Sequence, residues 1–222
     1  MRKWIRSNRG FVAFMLGFGI FRLAVADWNP IPSESMRPSV LEGDVVFVDR
    51  LAYDLKMPLT DVVVLSTGKP KRGDVVVFSS PKDGTRLIKR IVGLPGDLVE
   101  MRDEVLFING TAARYTEPES GQERVEPGVE VPALRVTETI EQRAHRMQIL
   151  EGVQARNTFS PVRVPEAHYL MLGDNRDNSA DSRYFGLVPR HRLIGRATRI
   201  LVSADITGHW QPRWNRFGQS ID

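Results

Sequence analysis

Along most of the chain, short apolar runs alternate with turn-forming polar residues. "DVVFVDRLA" (44–52), "DVVVL" (61–65), "DVVVFSS" (74–80), "TRLIKRIVG" (85–93), "LVEMRDEVLFING" (98–110) and "HYLMLGD" (168–174) are rich in Val, Ile and Phe. Each is bounded by Gly, Pro, Asp or Asn, the pattern of strands between tight turns. "EGD", "RGD" and "PGD" stand before three of these runs and read as turns that feed them. The spacing predicts a mainly β body of short antiparallel strands, over 29–110 and 166–207, rather than alternating βα units. Residues 111–165 differ. "TEPESGQERVEPGVEVP" is polar and proline-rich and reads as a long loop or the edge of an insertion. "LRVTETIEQRAHRMQIL" alternates or is weakly helical, and its periodicity does not decide; Val136, Thr137 and Thr139 favour strand, so 111–165 is expected to be a β-rich insertion into one domain. In the tail, 208–222, Trp210, Trp214 and Phe217 stand at helical spacing with Arg213 and Arg216. That pattern suits a short amphipathic element, lying on a membrane surface or packed on the core.

The N-terminus follows another pattern. "FVAFMLGFGIF", residues 11–21, is apolar or glycine, and Arg22, "LAVA", Asp27 and Trp28 follow. A helix over 11–28 would be roughly 27 Å long, close to the thickness of a hydrocarbon core. Arg22 would reach toward headgroups and Trp28 suits an interface. Preceding cations place residues 1–10 in the cytoplasm and the body outside. A cleaved signal peptide ending at Ala24-Val25-Ala26 fits the same residues, and both readings export the body. Between the two, the anchor is expected to be retained, because the charge of Arg22 interrupts the usual approach to a cleavage site.

"RLIKRIVGLPGD", 86–97, carries a chemical anomaly. As a strand it puts Leu87, Lys89 and Ile91 on one face and Ile88, Arg90 and Val92 on the other. A lysine between Leu87 and Ile91 either snorkels to water or is desolvated, which would lower its pKa and make it a usable base.

Composition narrows the partners. The net charge of +4 and pI of about 9.6 suggest nucleic acid until the charges are located. Arg2, Lys3, Arg6, Arg9 and Arg22 give residues 1–26 a charge of +5 with no acid, which leaves −1 for the remainder. Nucleic acid is therefore not an expected partner. Without cysteine there is no disulfide, thiol nucleophile or thiolate metal site. Histidines 145, 168, 191 and 209 lack metal-site spacing, and no serine lies in a G-x-S-x-G elbow for a triad with His168. "DNSAD" (177–181) begins like a calcium loop, but Ser182 and Val188 occupy its required glycine and glutamate positions. No metal or cofactor is expected. What remains is serine with lysine, a known alternative to the triad. Ser33 and Ser35 stand in the proline-pinned loop "IPSESMRPSV", 31–40.

That loop, "RLIKRIVGLPGD" and "GDNRDNSADSRYFG" (173–186) resemble, in order, the three core motifs of bacterial type I signal peptidases. "RVTETIEQRAHRMQI" and "WQPRWNRFG" are similar to family regions more loosely. The resemblance covers about residues 1–110 and 164–218. It implies a mainly β, membrane-tethered serine protease of the cytoplasmic membrane, with its catalytic domain on the outer side. Such an enzyme removes signal peptides from exported preproteins after Ala-x-Ala-type sites, and is monomeric. By matched position the resemblance makes Ser35 the nucleophile, Lys89 the general base and Ser33 an oxyanion donor. It makes Ser179 the serine that orients the lysine, Asp181 and Arg183 braces of that corner, and Ile31, Met36 and Ile88 pocket walls. Two departures stand out: Val40 replaces a common leucine, and the insertion lacks the cysteine pair of some members. The alternative is an exported, non-enzymatic β-domain binding or scaffold protein in which serine and lysine are incidental.

Overall fold

The structure is a computed structural model that describes residues 4, 8–57, 60, 62–126 and 128–221. Most of the expected cytoplasmic N-terminus, and the Arg22 side chain, lie outside the described residues. Helix α1 (Arg9–Ala24) is 16 residues and stops short of the expected 11–28 span. It stops because Ala26–Pro30, β1, enters a sheet and pairs with β2 (Asp44–Asp49), Ala26 opposite Asp49 and Pro30 opposite Val45. A helix of that length is about 24 Å, and none among the described residues is long and apolar enough to cross a membrane.

β3 (Asp54–Lys56) and β4 (Val63–Ser66) make a separate hairpin. β5 (Val75–Ser79) and β6 (Arg86–Gly93) pair antiparallel, with Val76 opposite Lys89 and Val75 opposite Arg90. The "LVEMRDEVLFING" run folds as two strands, β7 (Leu98–Arg102) and β8 (Val105–Ile108), joined by Asp103-Glu104. Both turn residues have positive φ, as a tight hairpin of matching twist requires. β9 (Thr111–Ala112) pairs with β8.

The polar segment expected to be a loop is instead the 13-residue strand β10 (Arg114–Glu126). It pairs with β11 (Val129–Ile140), which pairs with β12 (Arg143–Leu150). Pro118 is accommodated at a bulge between Thr116 and Glu119, where no ladder donor is needed. β13 (Phe159–Arg163) returns to pair with β7, so the ends of the 111–165 segment belong to the β7–β8 sheet, and only β10–β12 stand apart.

β14 (His168–Leu172) pairs with β6 and leads through residues 173–181 into the single turn α2 (Ser182–Phe185). β15 (Val188–Pro189) and β16 (Leu193–Ser203) complete a seven-stranded sheet of order β1-β2-β16-β5-β6-β14-β15. All its pairings are antiparallel. The tail is not an amphipathic helix. Beyond one short turn at Trp214–Arg216 it is irregular, with Trp210 and Trp214 exposed. It is tied to the body by backbone hydrogen bonds to β16, by Ile221 packed on the core, and by guanidinium contacts: Arg213 donates to the Glu42 and Ala204 carbonyls, and Arg216 grips Asp44 and the Ser39 carbonyl.

The strand alternation sorts the core. One cluster joins Ile31, Met36 and Val40 to Val46, Val48, Val75, Val77, Ile88 and Ala197. A second holds Val76, Phe78, Ile91 and Met171, with Leu87 packed against it. Each fully buried Val, Ile or Met contributes roughly 1.5–3 kcal/mol.

Candidate active site

Ser33 and Ser35 lie in the connection from β1 to β2, which the sheet pins at both ends. Ile31 N–H donates to the Asp44 carbonyl at 2.8 Å, and Gly43 N–H donates to the Ile31 carbonyl at 3.0 Å. Between these points Met36 and Val40 are driven into the core with Ile31 and Ile88. The three residues expected to wall a pocket thus meet in one apolar cluster beside the two serines.

Lys89 is only 2% exposed, so the ammonium does not snorkel to water. Its Nζ is hydrogen-bonded to Ser35 Oγ at 2.6 Å and donates to the Ile88 carbonyl at 2.9 Å. Val76 stands opposite it across the ladder, and Leu87 and Ile91 flank it on the same face. Burial pulls the amine down to about 8, against the opposing influence of Asp181 and Asp174. Ser33 is on the surface with its Oγ 3.4 Å from Ser35 Oγ.

The third motif closes over this pair. Ser179 was expected to hydrogen-bond the amine, but the bonds of Lys89 go to Ser35 and the Ile88 carbonyl. The buried Ser179 Oγ has no hydrogen-bond partner among the described residues. It lies instead against Gly173, where an added Cβ would be 2.2 Å from Ser179 Oγ and 2.5 Å from the Ser35 carbonyl oxygen. Only glycine permits that three-way approach of the Ser35 loop, the end of β14 and residue 179. Asp181 and Arg183 form a buried two-point pair, 2.8 Å at each contact. Asp181 also accepts from Gly173 N–H at 3.1 Å, which ties that corner to the glycine.

Apart from Arg90, which its strand face marks as structural, several residues that brace the site escaped the sequence reading. Asn175 donates through its backbone to the Ser35 carbonyl (3.1 Å) and through Nδ2 to the Glu34 carbonyl (3.2 Å). Arg90, next to Lys89, makes a buried two-point pair with Asp174 at 2.8 and 2.7 Å. The β10–β12 sheet grips both loops. Gln148 N–H donates to the Asp174 carbonyl, Arg176 N–H to the Gln148 carbonyl, and Leu150 N–H to the Asp177 carboxylate. Arg176 holds Glu138 with both terminal guanidinium nitrogens, and on the other loop Arg37 pairs with Glu123 while Ser39 Oγ donates to the Arg146 carbonyl. These contacts of the β10–β12 sheet join residues 26 to 107 apart in sequence, so the only local trace of them is the density of Asn, Asp and Arg in 174–183.

Two cavities of about 420 and 490 Å³ lie near the β11–β12 turn and the C-terminal tail, with His145 and Ile221 in both linings. Neither includes Ser35 or Lys89. The described residues hold no cluster of three or more His, Asp or Glu side chains that would bind a metal. A buried, partly neutral amine in contact with a serine hydroxyl can serve general-base chemistry without either.

Comparison with known proteins gives the same direction. The family described as signal peptidase, peptidase S26, matches residues 1–202. A signal peptidase I of Pseudomonas aeruginosa is 36% identical over 214 residues, covering 90% of this chain and 72% of the relative. That of Buchnera aphidicola subsp. Schizaphis graminum is 34% identical over 230 residues, covering 87% of this chain and 73% of the relative. A signal peptidase I structure from Enterococcus faecalis is 33% identical over 59% of this chain and 97% of that one, with a TM-score of 0.36. With a matched profile over most of its length and relatives at this identity, the chain belongs to the S26 signal peptidase family and is a serine endopeptidase.

Proposed function

We propose that this chain is held to the cytoplasmic membrane by its N-terminal helix and cuts signal peptides from exported preproteins after Ala-x-Ala-type sites. Ser35 is the nucleophile and Lys89 the general base. The observation that carries the reading is the 2.6 Å contact between Ser35 Oγ and an amine that is buried and not in contact with a carboxylate. The neutral amine takes the serine proton as Oγ attacks the scissile carbonyl carbon. The Ser33 hydroxyl and Ser35 N–H stabilise the oxyanion. The Lys89 ammonium then protonates the departing amine, leaving an acyl-serine. Deprotonated Lys89 next activates a water that releases the acid. Ile31, Met36 and Ile88 line the space for small substrate side chains, and Asp181 and Arg183 keep the corner in shape. Ser179 acts through its packing on Gly173.

The apolar outer surface of α1, with Phe11, Phe14, Met15 and Phe18 exposed, supports attachment to a bilayer. The cations before it support an N-terminus in the cytoplasm. The test is cleavage of a preprotein bearing an Ala-x-Ala site by purified full-length protein. Ser35→Ala and Lys89→Ala should each abolish it, and the double variant should be no worse. Near-full activity in either folded single variant overturns the dyad.

A further inference from the structure

Glu34 separates the two serines, and its half-buried side chain has a role that neither motif nor dyad requires. Its Oε2 accepts from Asn178 Nδ2 at 3.0 Å, and Asn178 directly precedes Ser179. On its other side the Glu34 carboxyl faces that of Glu42, and two facing carboxyl groups can hydrogen-bond only when one of them holds a proton.

The surrounding charges explain which carboxyl keeps it. Within the β1–β2 connection, Arg37 gives its Nε to Glu42 at 2.8 Å and reaches Glu34 only at 3.9 Å. From β10, Glu123 takes another nitrogen of Arg37. From β11, Arg135 is held by Glu123 at 3.0 Å. The 173–181 loop contributes only the neutral amide of Asn178. Three carboxyl groups therefore meet two guanidiniums, and Glu34 is the one whose cation, Arg37, stands farthest off. Burial and Glu42, with Glu123 adding to them, push the Glu34 carboxyl up to about 7 against the pull of Arg37, while Glu42 is lowered.

We propose that Glu34 is a positioning residue that works as a neutral carboxylic acid, clasping the nucleophile loop between Glu42 and Asn178. Losing its proton puts an unneutralised charge into this cluster and loosens Ser33 and Ser35 against Lys89. The inference rests on the assignment of Ser35 as nucleophile. It opposes the pH response of the base: Lys89 must lose its proton near 8, whereas Glu34 must keep one near 7. An acid whose folded value is raised adds stability that is complete below its ordinary value of 4.5 and is lost as pH rises through about 7.

Glu34→Gln is neutral at every pH and keeps both a donor for Glu42 and an acceptor for Asn178. With the full chain and a preprotein substrate, its kcat relative to wild type should climb on the order of tenfold from pH 6 to pH 9, with KM nearly constant. Glu34→Ala, which loses both contacts, should have a low kcat throughout, so that glutamine rescues what alanine removes. Superimposable pH profiles for wild type and Glu34→Gln overturn the proposal, as does full activity in Glu34→Ala. A second measurement is independent of turnover. In a Ser35→Ala background, adding Glu34→Gln should raise the melting temperature increasingly from pH 5 to pH 8, and a pH-independent difference overturns the proposal. If Ser35→Ala itself still cleaves, the dyad fails, while the melting series still reads the Glu34 proton.

Discussion

Lys89 and Arg90 are adjacent cations in β6, and the strand period sends them to different environments. Arg90 meets a carboxylate at two points, whereas Lys89 meets a hydroxyl and a carbonyl. The first arrangement fixes a charge and the second removes the reason to hold one. Lys89→Arg should therefore be inactive in the cleavage assay, because a guanidinium stays protonated. Lys89→Met should be equally inactive but more stable at pH 7. A lysine whose folded value lies near 8 instead of 10.5 carries a folding penalty that is complete below 8 and is relieved as pH rises toward 10.5. The penalty is on the order of 3 kcal/mol at most. Thermal melts of Lys89→Met against wild type should show an advantage at pH 7 that shrinks above pH 8. A melting point below wild type at pH 7 would show that the amine stabilises the fold.

At the scale of elements, what was legible in the sequence is what strands encode locally. The period of two placed Leu87, Lys89 and Ile91 together, and β6 keeps that arrangement. That 98–110 is strand-forming was legible, but its split into β7 and β8 was not, and β11–β12 was only favoured as strand by Val136, Thr137 and Thr139. β10 was not legible, because its residues are polar on both faces and it is a strand only through its pairing with β11. In the tail the helical aromatic spacing misled, while the core-packing alternative holds, through Ile221, backbone bonds to β16 and the contacts of Arg213 and Arg216 with distant carbonyls and Asp44. The motif glycine at 173 was visible, but its purpose was not, since that depends on two segments arriving from elsewhere. Gly173→Ala would push the Ser35 carbonyl and Ser179 away from residue 173. A misplacement of about 1 Å can cost on the order of 10² in rate, so kcat should fall by about that much while far-ultraviolet circular dichroism stays native. Unchanged kcat in this variant would remove the packing role assigned to Gly173 and Ser179.

For the molecule as a whole, β10–β12 behave as a buttress. Burial opposes ionisation of Glu138, and Arg176 with His145 outweighs it, holding the carboxyl well below the usual carboxylate range. Glu138→Gln leaves Arg176 buried without its counter-charge, a change that costs roughly 3–5 kcal/mol. The melting temperature should drop accordingly at pH 7. Stability from a lowered carboxyl is present above its ordinary value of 4.5 and is lost as pH falls further, so the gap to wild type should narrow in strong acid. A gap that stays constant down to pH 2 would contradict the ion-pair origin. The same integration bears on the chain's own Ala24-Val25-Ala26. Ala26 is buried and laddered to Asp49, and the Val25 carbonyl accepts from Arg50 N–H, so the stretch is already committed to a sheet. A protease groove must take such a segment as a free strand. Intact mass of protein purified from membranes should thus show no dominant species starting at Asp27. The junction itself has a mechanical consequence. β1 begins two residues after α1 ends, Phe18 rests on Trp28 with ring centroids 6.2 Å apart, and pairing continues to Ile31, four residues before Ser35. So short and so fully paired a link leaves little slack between α1 and Ser35, and a tilt imposed on the helix is expected to be passed along β1 toward the Ser35 loop.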